Sequence, residues 1–103
     1  MVHSNKKFPS GNFFIVPNCI YKEKLKARNF AVYCYLFYRA DMKKFNCYPS
    51  RSTIARECCM TEPTVDEAIK VLVDKCLITI THRYDPNNGN RLSHLYTINK
   101  IWE

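Results

Sequence analysis

Residues 57–72, ECCMTEPTVDEAIKVL, combine a turn with the start of a helix. Thr61 is a suitable N-cap, and Pro63 falls in the first helical turn, where its missing N–H is not needed. Apolar residues then recur at helical spacing, at Val65, Ile69, Leu72 and Val73. The pattern predicts a helix over residues 61–75 and raises a question about the three carboxylates near its start, which are Glu62, Asp66 and Glu67.

The residues before this turn predict two further helices and one strand. Ser50 can cap a helix over residues 50–58. A longer helix is expected over residues 22–40, since its apolar side chains also recur at helical spacing, at Phe30, Val32, Tyr33, Cys34, Leu36 and Phe37. The aromatic and β-branched segment 12–18, NFFIVPN, predicts a strand closed by its proline. Residues 1–11 are interpreted as a flexible basic arm.

Beyond residue 76 apolar residues recur at every second position instead of at helical spacing. Residues 77–84 and 91–99 alternate apolar and polar side chains, and DPNNGN between them is rich in turn formers. We therefore predict a β-hairpin over residues 77–99. The order of elements indicates an α+β fold of the winged helix-turn-helix type, β-α-α-α-β-β, with a three-helix core and the hairpin as wing. Residues 1–103 are expected to form this one domain.

Charge and apolar patterning restrict the class of protein. The net charge is +7, and residues 1–60 carry eleven basic and three acidic side chains, whereas residues 61–103 carry five basic and six acidic ones. Such a balance favours an anionic partner such as nucleic acid. The sequence has no apolar run of membrane-spanning length and no secretory signal, so a cytoplasmic protein without membrane contact is expected. The six cysteines are then expected to be reduced thiols.

Catalytic and metal-binding motifs are not evident. The chain has no phosphate-binding loop, nucleophile elbow or paired-carboxylate pattern. Its cysteines form no C-x-x-C, and its three histidines show no metal-ligand spacing to them. Cys34 and Cys58 fall on apolar helix faces and are interpreted as small core residues. The sequence predicts a protein that is not an enzyme and has no catalytic residues, no metal and no cofactor.

Several segments together carry a resemblance to a known family. FIVPN, YRAD, CYPSRSTIA, TEPTVDEAIKVLVDKCLI and the residues around NGN and SHLY resemble the winged helix-turn-helix domains encoded by plasmids, phages and conjugative elements of Gram-positive bacteria. The likeness covers about residues 13–99. Members of that family include replication initiators, replisome organisers and small regulators, and the chain also looks like the small relaxosome accessory proteins that bind an origin of transfer on clostridial conjugative plasmids.

The resemblance implies a site-specific binder of double-stranded DNA that acts in plasmid DNA processing, at an origin of conjugative transfer or of replication. A transcriptional regulator is an alternative with the same kind of ligand. A second alternative is a protein–protein interaction module of a replication or transfer complex, in which the acidic third helix docks a basic partner. Other relaxosome or replisome proteins are possible partners.

The sequence departs from the family pattern in two ways. Cys59 and Cys76 stand where relatives commonly have glycine, in the turn before the third helix and just after it. If both positions need φ > 0, each cysteine is strained by about 1 kcal/mol, so we expect slightly remodelled turns. In addition, residues 61–76 hold two lysines against four acids, where relatives carry basic or amide residues. We expect the three acids near the start of this helix, Glu62, Asp66 and Glu67, to complement the positive end of the helix dipole, each contributing about 0.3–1 kcal/mol.

DNA contacts are therefore expected mainly outside the third helix. The wing residues that can probe a minor groove or nearby base edges are His82, Arg83, Tyr84, Asn87, Asn88, Asn90 and Arg91. A partial role is predicted for three residues of the third helix, Thr61, Thr64 and Lys70. Phosphate contacts are predicted for the basic residues Lys6, Lys7, Lys22, Lys24, Lys26, Arg28, Arg51 and Arg56.

The first helix contains FAVYCYLFY, which is apolar or aromatic nearly all round. A helix that faces a single core does not require so broad an apolar surface. Either the N-terminal strand and the wing cover its second face, or this face is a dimer seam. We expect a homodimer, which suits recognition of two half-sites.

Overall fold

The computed structural model describes residues 13–102. Its helices and strands, in chain order, are the 3₁₀ helix Asn18–Glu23, α1 (Ala27–Arg39), β1 (Asn46–Cys47), α2 (Arg51–Glu57), α3 (Glu62–Asp74), β2 (Ile78–Tyr84) and β3 (Arg91–Ile98). The three α-helices pack around a core that one face of the sheet closes. The chain thus has an α+β fold with a small antiparallel sheet.

Hydroxyl side chains begin both α2 and α3. Ser50 Oγ accepts a hydrogen bond from the N–H of Thr53 at 3.1 Å, and Thr61 Oγ1 accepts one from the N–H of Thr64 at 3.3 Å. Each cap satisfies an N–H group that has no partner within its helix. The sequence predicted helices over 50–58 and 61–75, and the structure places them one residue inside those bounds at each end.

Cys59 and Cys76 lie in the left-handed region, with φ of 57° and 61°. After α2, the N–H of Cys59 donates to Arg56 O and the N–H of Met60 donates to Ala55 O. After α3 the same two bonds form, from Cys76 to Val73 O and from Leu77 to Leu72 O. This pair of bonds is the Schellman motif, which requires φ > 0 at the position that both cysteines occupy. The expected remodelling of the two turns is therefore wrong, and the cysteines bear the strain.

The segment before α1 differs from its prediction. Residues 13–17 have no regular structure and Asn18–Glu23 form a 3₁₀ helix, so the predicted strand over 12–18 is wrong. The sheet order is β1-β3-β2, so all of its strands lie after α1 in the chain. The aromatic segment packs on helix α1 instead, where the Phe14 ring lies 5.9 Å from that of Tyr38. Its β propensity is outweighed by this packing.

Helix α1 begins at Ala27, five residues later than predicted. Lys24 has a φ of 56°, which an α-helix cannot accommodate, and Lys26 is the N-cap in extended conformation. The predicted basic start of the first helix is therefore divided. Lys22 lies in the 3₁₀ helix, and Lys24 and Lys26 lie in the connection that follows it. The predicted arm, residues 1–11, lies outside the described residues.

The second side of α1 is covered in part by the chain itself. The Trp102 ring packs at a tilt against that of Phe37, with 5.9 Å between ring centroids, and against that of Phe45 at 5.5 Å. The Phe14 ring covers Tyr38, which nevertheless stays 59% exposed. The irregular N-terminal segment and the C-terminal tail provide this cover in place of the predicted N-terminal strand, and strand β3 of the hairpin also contacts α1.

The C-terminal hairpin follows the predicted alternation. Strands β2 and β3 pair from Ile78 with Ile98 to Tyr84 with Arg91, and the register shifts between Thr81 and Arg83. The inward side chains of the hairpin base, such as Tyr96, are almost fully buried against the helices. The tip beyond the shift is exposed, so the hairpin projects from the core.

Tyr33 places a buried hydroxyl in this core. Within residues 13–102 its hydroxyl has no hydrogen-bond partner, and burial raises the pKa of the phenol. We expect Tyr33→Phe to raise the free energy of unfolding by about 1 kcal/mol, because it removes an unsatisfied polar atom and keeps the ring. Urea unfolding of both proteins measures the difference. A loss of stability of similar size would show that the hydroxyl is hydrogen-bonded and would contradict this account.

Candidate nucleic-acid interface

The acids of α3 form ion pairs with arginines of the two neighbouring helices. Arg51 of α2 donates through Nε and Nη2 to the two carboxylate oxygens of Asp66. Its Nη1 lies 3.4 Å from Glu62 Oε1. On the other edge of α3, Arg28 Nη2 of α1 lies 3.8 Å from Glu67 Oε1. Each of the three carboxylates that raised the opening question therefore has a cationic partner.

This arrangement revises the expected role of the acids. Only Glu62 lies in the first turn of α3, where the helix dipole acts most strongly. Asp66 and Glu67 lie in the second turn and are neutralised across the helix interface instead. The hydrogen bond to Asp66 raises the pKa of Arg51. The front of α3 is thus close to electrically neutral.

Two predicted phosphate contacts are consequently engaged within the protein. Arg28 and Arg51 keep 52% and 45% of their side-chain surface exposed, so both remain within reach of a ligand. Exposed ion pairs of this kind contribute only about 0–1 kcal/mol to stability. A phosphate can compete with the carboxylates for either arginine.

The two arginines of the hairpin have different surroundings. The Arg83 guanidinium lies 4.8 Å from the ring centroid of Tyr48, and its Nη1 donates to Ser93 O at 3.2 Å. These contacts hold Arg83 against the sheet. The Arg91 side chain is exposed and has no hydrogen bond or ion pair within residues 13–102. Of the two, Arg91 is the side chain free to meet a ligand.

The hairpin tip is a turn stabilised by its own side chains. Asp85 Oδ1 accepts from the N–H of Asn87, and Asn88 Oδ1 accepts from the N–H of Asn90, both at 2.8 Å. Gly89 supplies the φ of 73° that the turn requires. The amide groups of Asn87 and Asn90 project into solvent, as does the 56% exposed ring of Tyr84.

His82 and His94 form a cross-strand pair on the hairpin. His82 Nδ1 and His94 Nε2 are 3.1 Å apart, so one of these nitrogens donates to the other. Burial lowers the pKa of His94, and the neighbouring His82 lowers it further. The predicted wing residue His82 is thus hydrogen-bonded to His94 across the hairpin.

A groove of about 350 Å³ separates the hairpin from the starts of α2 and α3. One wall is formed by residues 49–52 and Glu62, and the other by residues 91–94 and Tyr96 of β3. The groove brings Arg51 and Arg91 to the same surface, 40 positions apart in the chain. Thr61 and Thr64, predicted as partial contacts, bond to each other at 2.9 Å as part of the helix cap.

A second concave surface, the α1–α3 cleft, lies on the opposite edge of α3. It has a volume of about 400 Å³. Its charged residues are Lys24, Lys26, Arg28, Glu67, Lys70 and Lys75. The sequence had nominated four of these cations. It missed Lys75, because nothing in the local pattern at the end of α3 indicates that it faces residues near position 25.

The remaining predicted phosphate contacts lie elsewhere. Lys22 and Arg56 are exposed but line neither the groove nor the cleft. Lys6 and Lys7 lie outside the described residues. These four positions stay predictions.

The cysteines are free thiols in the described part of the chain. Cys34 and Cys58, predicted to be core residues, are half-buried, and burial raises the pKa of both. Across residues 13–102, no three His, Cys, Asp or Glu side chains converge in a way that could hold a metal ion. Among the helices of the same range, none combines the length and apolar character that crossing a membrane requires.

Comparison with known proteins identifies one family. A family model described as "Helix-turn-helix domain" matches residues 23–78, from the end of the 3₁₀ helix to the start of β2. No curated protein and no solved structure matches the chain. The matched range is more than half of the chain, and it contains α2, the Schellman turn and α3 in the order that gives such domains their name. The protein therefore belongs to the family of helix-turn-helix domains, for which DNA is the expected partner.

Proposed function

We propose that this protein binds double-stranded DNA site-specifically as a winged helix-turn-helix, with the β2–β3 hairpin as the wing. The observation that carries the proposal is the groove between the hairpin and the starts of α2 and α3, where Arg91 is unpaired and Arg51 is exposed. A strand of the duplex that passes along this groove can meet both guanidinium groups. Phosphate contacts of this kind position a protein on DNA.

The biological setting is proposed from the sequence resemblance. This resemblance supports an accessory role in plasmid or mobile-element DNA processing, at an origin of transfer or of replication. The protein would act there in the cytoplasm, together with relaxosome or replisome proteins. A transcriptional regulator would use the same surface, and only the position of the DNA site distinguishes the two roles. The protein-interaction alternative is less well supported, because the acids expected to attract a basic partner are already paired with Arg28 and Arg51.

Homodimer formation is proposed with the DNA function. Ile15, Tyr38 and Met42 keep between 59% and 65% of their surface exposed, and burial of this apolar surface between two copies would stabilise a dimer. Sedimentation equilibrium of the free protein tests this point, and a monomer at all concentrations up to about 100 μM, where even weak biological dimers form, contradicts it.

The DNA proposal is tested by fluorescence anisotropy of duplexes over a series of salt concentrations. The duplexes are fragments of the element that encodes the protein, with a scrambled control. Tight binding to one fragment and a steep salt slope support the proposal, because each neutralised phosphate contributes about −0.9 to the slope of log K against log salt. Weak binding that is equal for all fragments would refute site-specific recognition and favour the protein-interaction alternative.

The two hairpin arginines are expected to respond differently in this assay. Arg91→Ala should weaken binding about tenfold and reduce the salt slope by about 0.9, since it removes an unpaired cation. Arg83→Ala should leave the slope unchanged and lower the stability by about 0.5–1 kcal/mol, because its cation stacks on Tyr48. Unchanged affinity and slope in the protein with both substitutions would contradict the assignment of the hairpin as a wing.

A further inference from the structure

The α1–α3 cleft concentrates positive charge that the fold does not neutralise. Five of its side chains are cationic and one is acidic. The single ion pair found there within residues 13–102 is that of Arg28 with Glu67, at 3.8 Å. The four lysines Lys24, Lys26, Lys70 and Lys75 are all exposed and have no carboxylate partner in the described chain. Like charges gathered at a concave surface repel one another and attract anions.

The backbone at the cleft is held in an unfavourable conformation. Lys24 has a φ of 56°, a conformation that residues with a β-carbon rarely adopt. The next residue, Leu25, packs against the core, and this anchor leaves Lys24 and Lys26 on either side of it, facing solvent. Glycine would satisfy the backbone at position 24. Lysine there adds a cation to the cleft at a cost in conformational energy.

The α1–α3 cleft and the groove beside the hairpin lie on two different edges of α3. Glu62 and Asp66 lie on the edge of α3 that faces Arg51, whereas Glu67 and Val71 lie on the edge that faces α1. At 100° per residue, Lys70 falls between these two edges. The groove beside the hairpin and the α1–α3 cleft therefore flank the same exposed face of α3. A ligand wide enough to cover that face reaches both.

We propose that the α1–α3 cleft is a second DNA-phosphate site, in which Lys24, Lys26, Lys70 and Lys75 neutralise the backbone strand on the side of α3 away from the wing. The inference rests on the proposed DNA function and extends it. A second site explains how the protein can bind DNA although α3 is nearly neutral. The helix occupies the space between two phosphate-binding surfaces, and the cations that supply affinity lie at its edges. Glu67 holds Arg28 at the rim of the same site.

The test compares two variants that lose the same number of positive charges. The cleft variant carries Lys24→Gly, Lys70→Gln and Lys75→Gln. The control variant carries Lys43→Gln, Lys44→Gln and Lys100→Gln, three exposed lysines that line neither the groove nor the cleft. Glycine suits the backbone at position 24, so the cleft variant is expected to keep or raise the melting temperature of the wild type.

Duplex binding over the salt series is then measured for the wild type and both variants. The cleft variant should lose about 2.7 from the salt slope, 0.9 for each phosphate contact, and bind about a hundredfold more weakly at the lower salt concentrations. The control variant should change the slope by less than about 0.5 and the affinity by less than about threefold, because its lysines lie away from the DNA. Such a difference supports the assignment.

Three results overturn the inference, and they separate it from the proposed function. If the wild type binds DNA with a steep salt slope and the cleft variant retains that slope, the proposed DNA function stands, but the cleft takes no part in binding. An equal loss in both variants would show that net charge, and not the cleft, sets the affinity. Failure of the wild type to bind any duplex would refute both proposals. In that case, binding of a poly-glutamate probe by the wild type and not by the cleft variant would assign the cleft to an acidic protein.

Discussion

Replacement of Glu62 by Gln and Asp66 by Asn should raise the affinity for duplex DNA about tenfold at low salt. The two carboxylates hold Arg51 and lie beside the groove in which a phosphate strand is proposed. Their removal frees the guanidinium and removes two charges that repel phosphates within about one Debye length. The salt slope should steepen by about 0.9, the contribution of one additional phosphate contact. Anisotropy titration over the salt series measures both quantities.

Two further variants test whether the release of Arg51 causes this gain in affinity. Adding Arg51→Ala to the double variant should lower the affinity again and return the salt slope to about the wild-type value, because the additional phosphate contact of the freed arginine is then absent. Glu57→Gln at the end of α2 is the control, since Glu57 is exposed, has no ion pair within residues 13–102 and lines neither the groove nor the α1–α3 cleft. It should change the affinity by no more than about twofold, as expected for a remote and exposed charge. A fall in affinity on replacing Glu62 and Asp66 would instead show that these acids contact DNA bases, since carboxylates can accept from the amino group of cytosine.

Replacement of Cys59 and Cys76 by glycine should raise the free energy of unfolding by about 2 kcal/mol. Both cysteines have left-handed backbone conformations, with φ of 57° and 61°, that the hydrogen bonds of the Schellman motifs impose. A β-carbon costs about 1–2 kcal/mol in that conformation, and the greater freedom of glycine in the unfolded chain cancels part of the gain at each site. The melting temperature of a domain of this size should rise by about 10 °C.

Alanine provides the control for this prediction. Cys59→Ala with Cys76→Ala removes the same thiols and keeps the β-carbons, so it should leave the stability within about 0.5 kcal/mol of the wild type. Calorimetry under reducing conditions compares the three proteins. If glycine and alanine had equal effects, the strain at the two helix ends would not be the cause. DNA affinity should be unchanged in all three, because neither cysteine lines the groove or the α1–α3 cleft.

The parts of the fold that follow local rules agree with the sequence patterns. Ser50 and Thr61 cap their helices through bonds to residues three positions later, and the hairpin alternation extends over neighbouring residues of two consecutive strands. These interactions join residues that are close in the chain, so spacing alone indicates them. The irregular segment 13–17 shows the limit of such patterns. Its aromatic and β-branched residues favour a strand, yet packing on α1 decides otherwise.

The charged residues show even more clearly which properties the sequence determines and which depend on the tertiary structure. Composition alone establishes that the chain is cationic and that its third helix is acidic, because charge is a property of each residue. Which cations are paired and which are free depends on folding: Arg51 meets Asp66 fifteen positions away, and Lys24 shares a cleft with Lys75. Electrostatic contacts act over a few ångströms in space, whatever the separation in the chain. The packing of α3 between α1 and α2 therefore decides which charges are paired, and it leaves a nearly neutral helix with cationic surfaces on both sides.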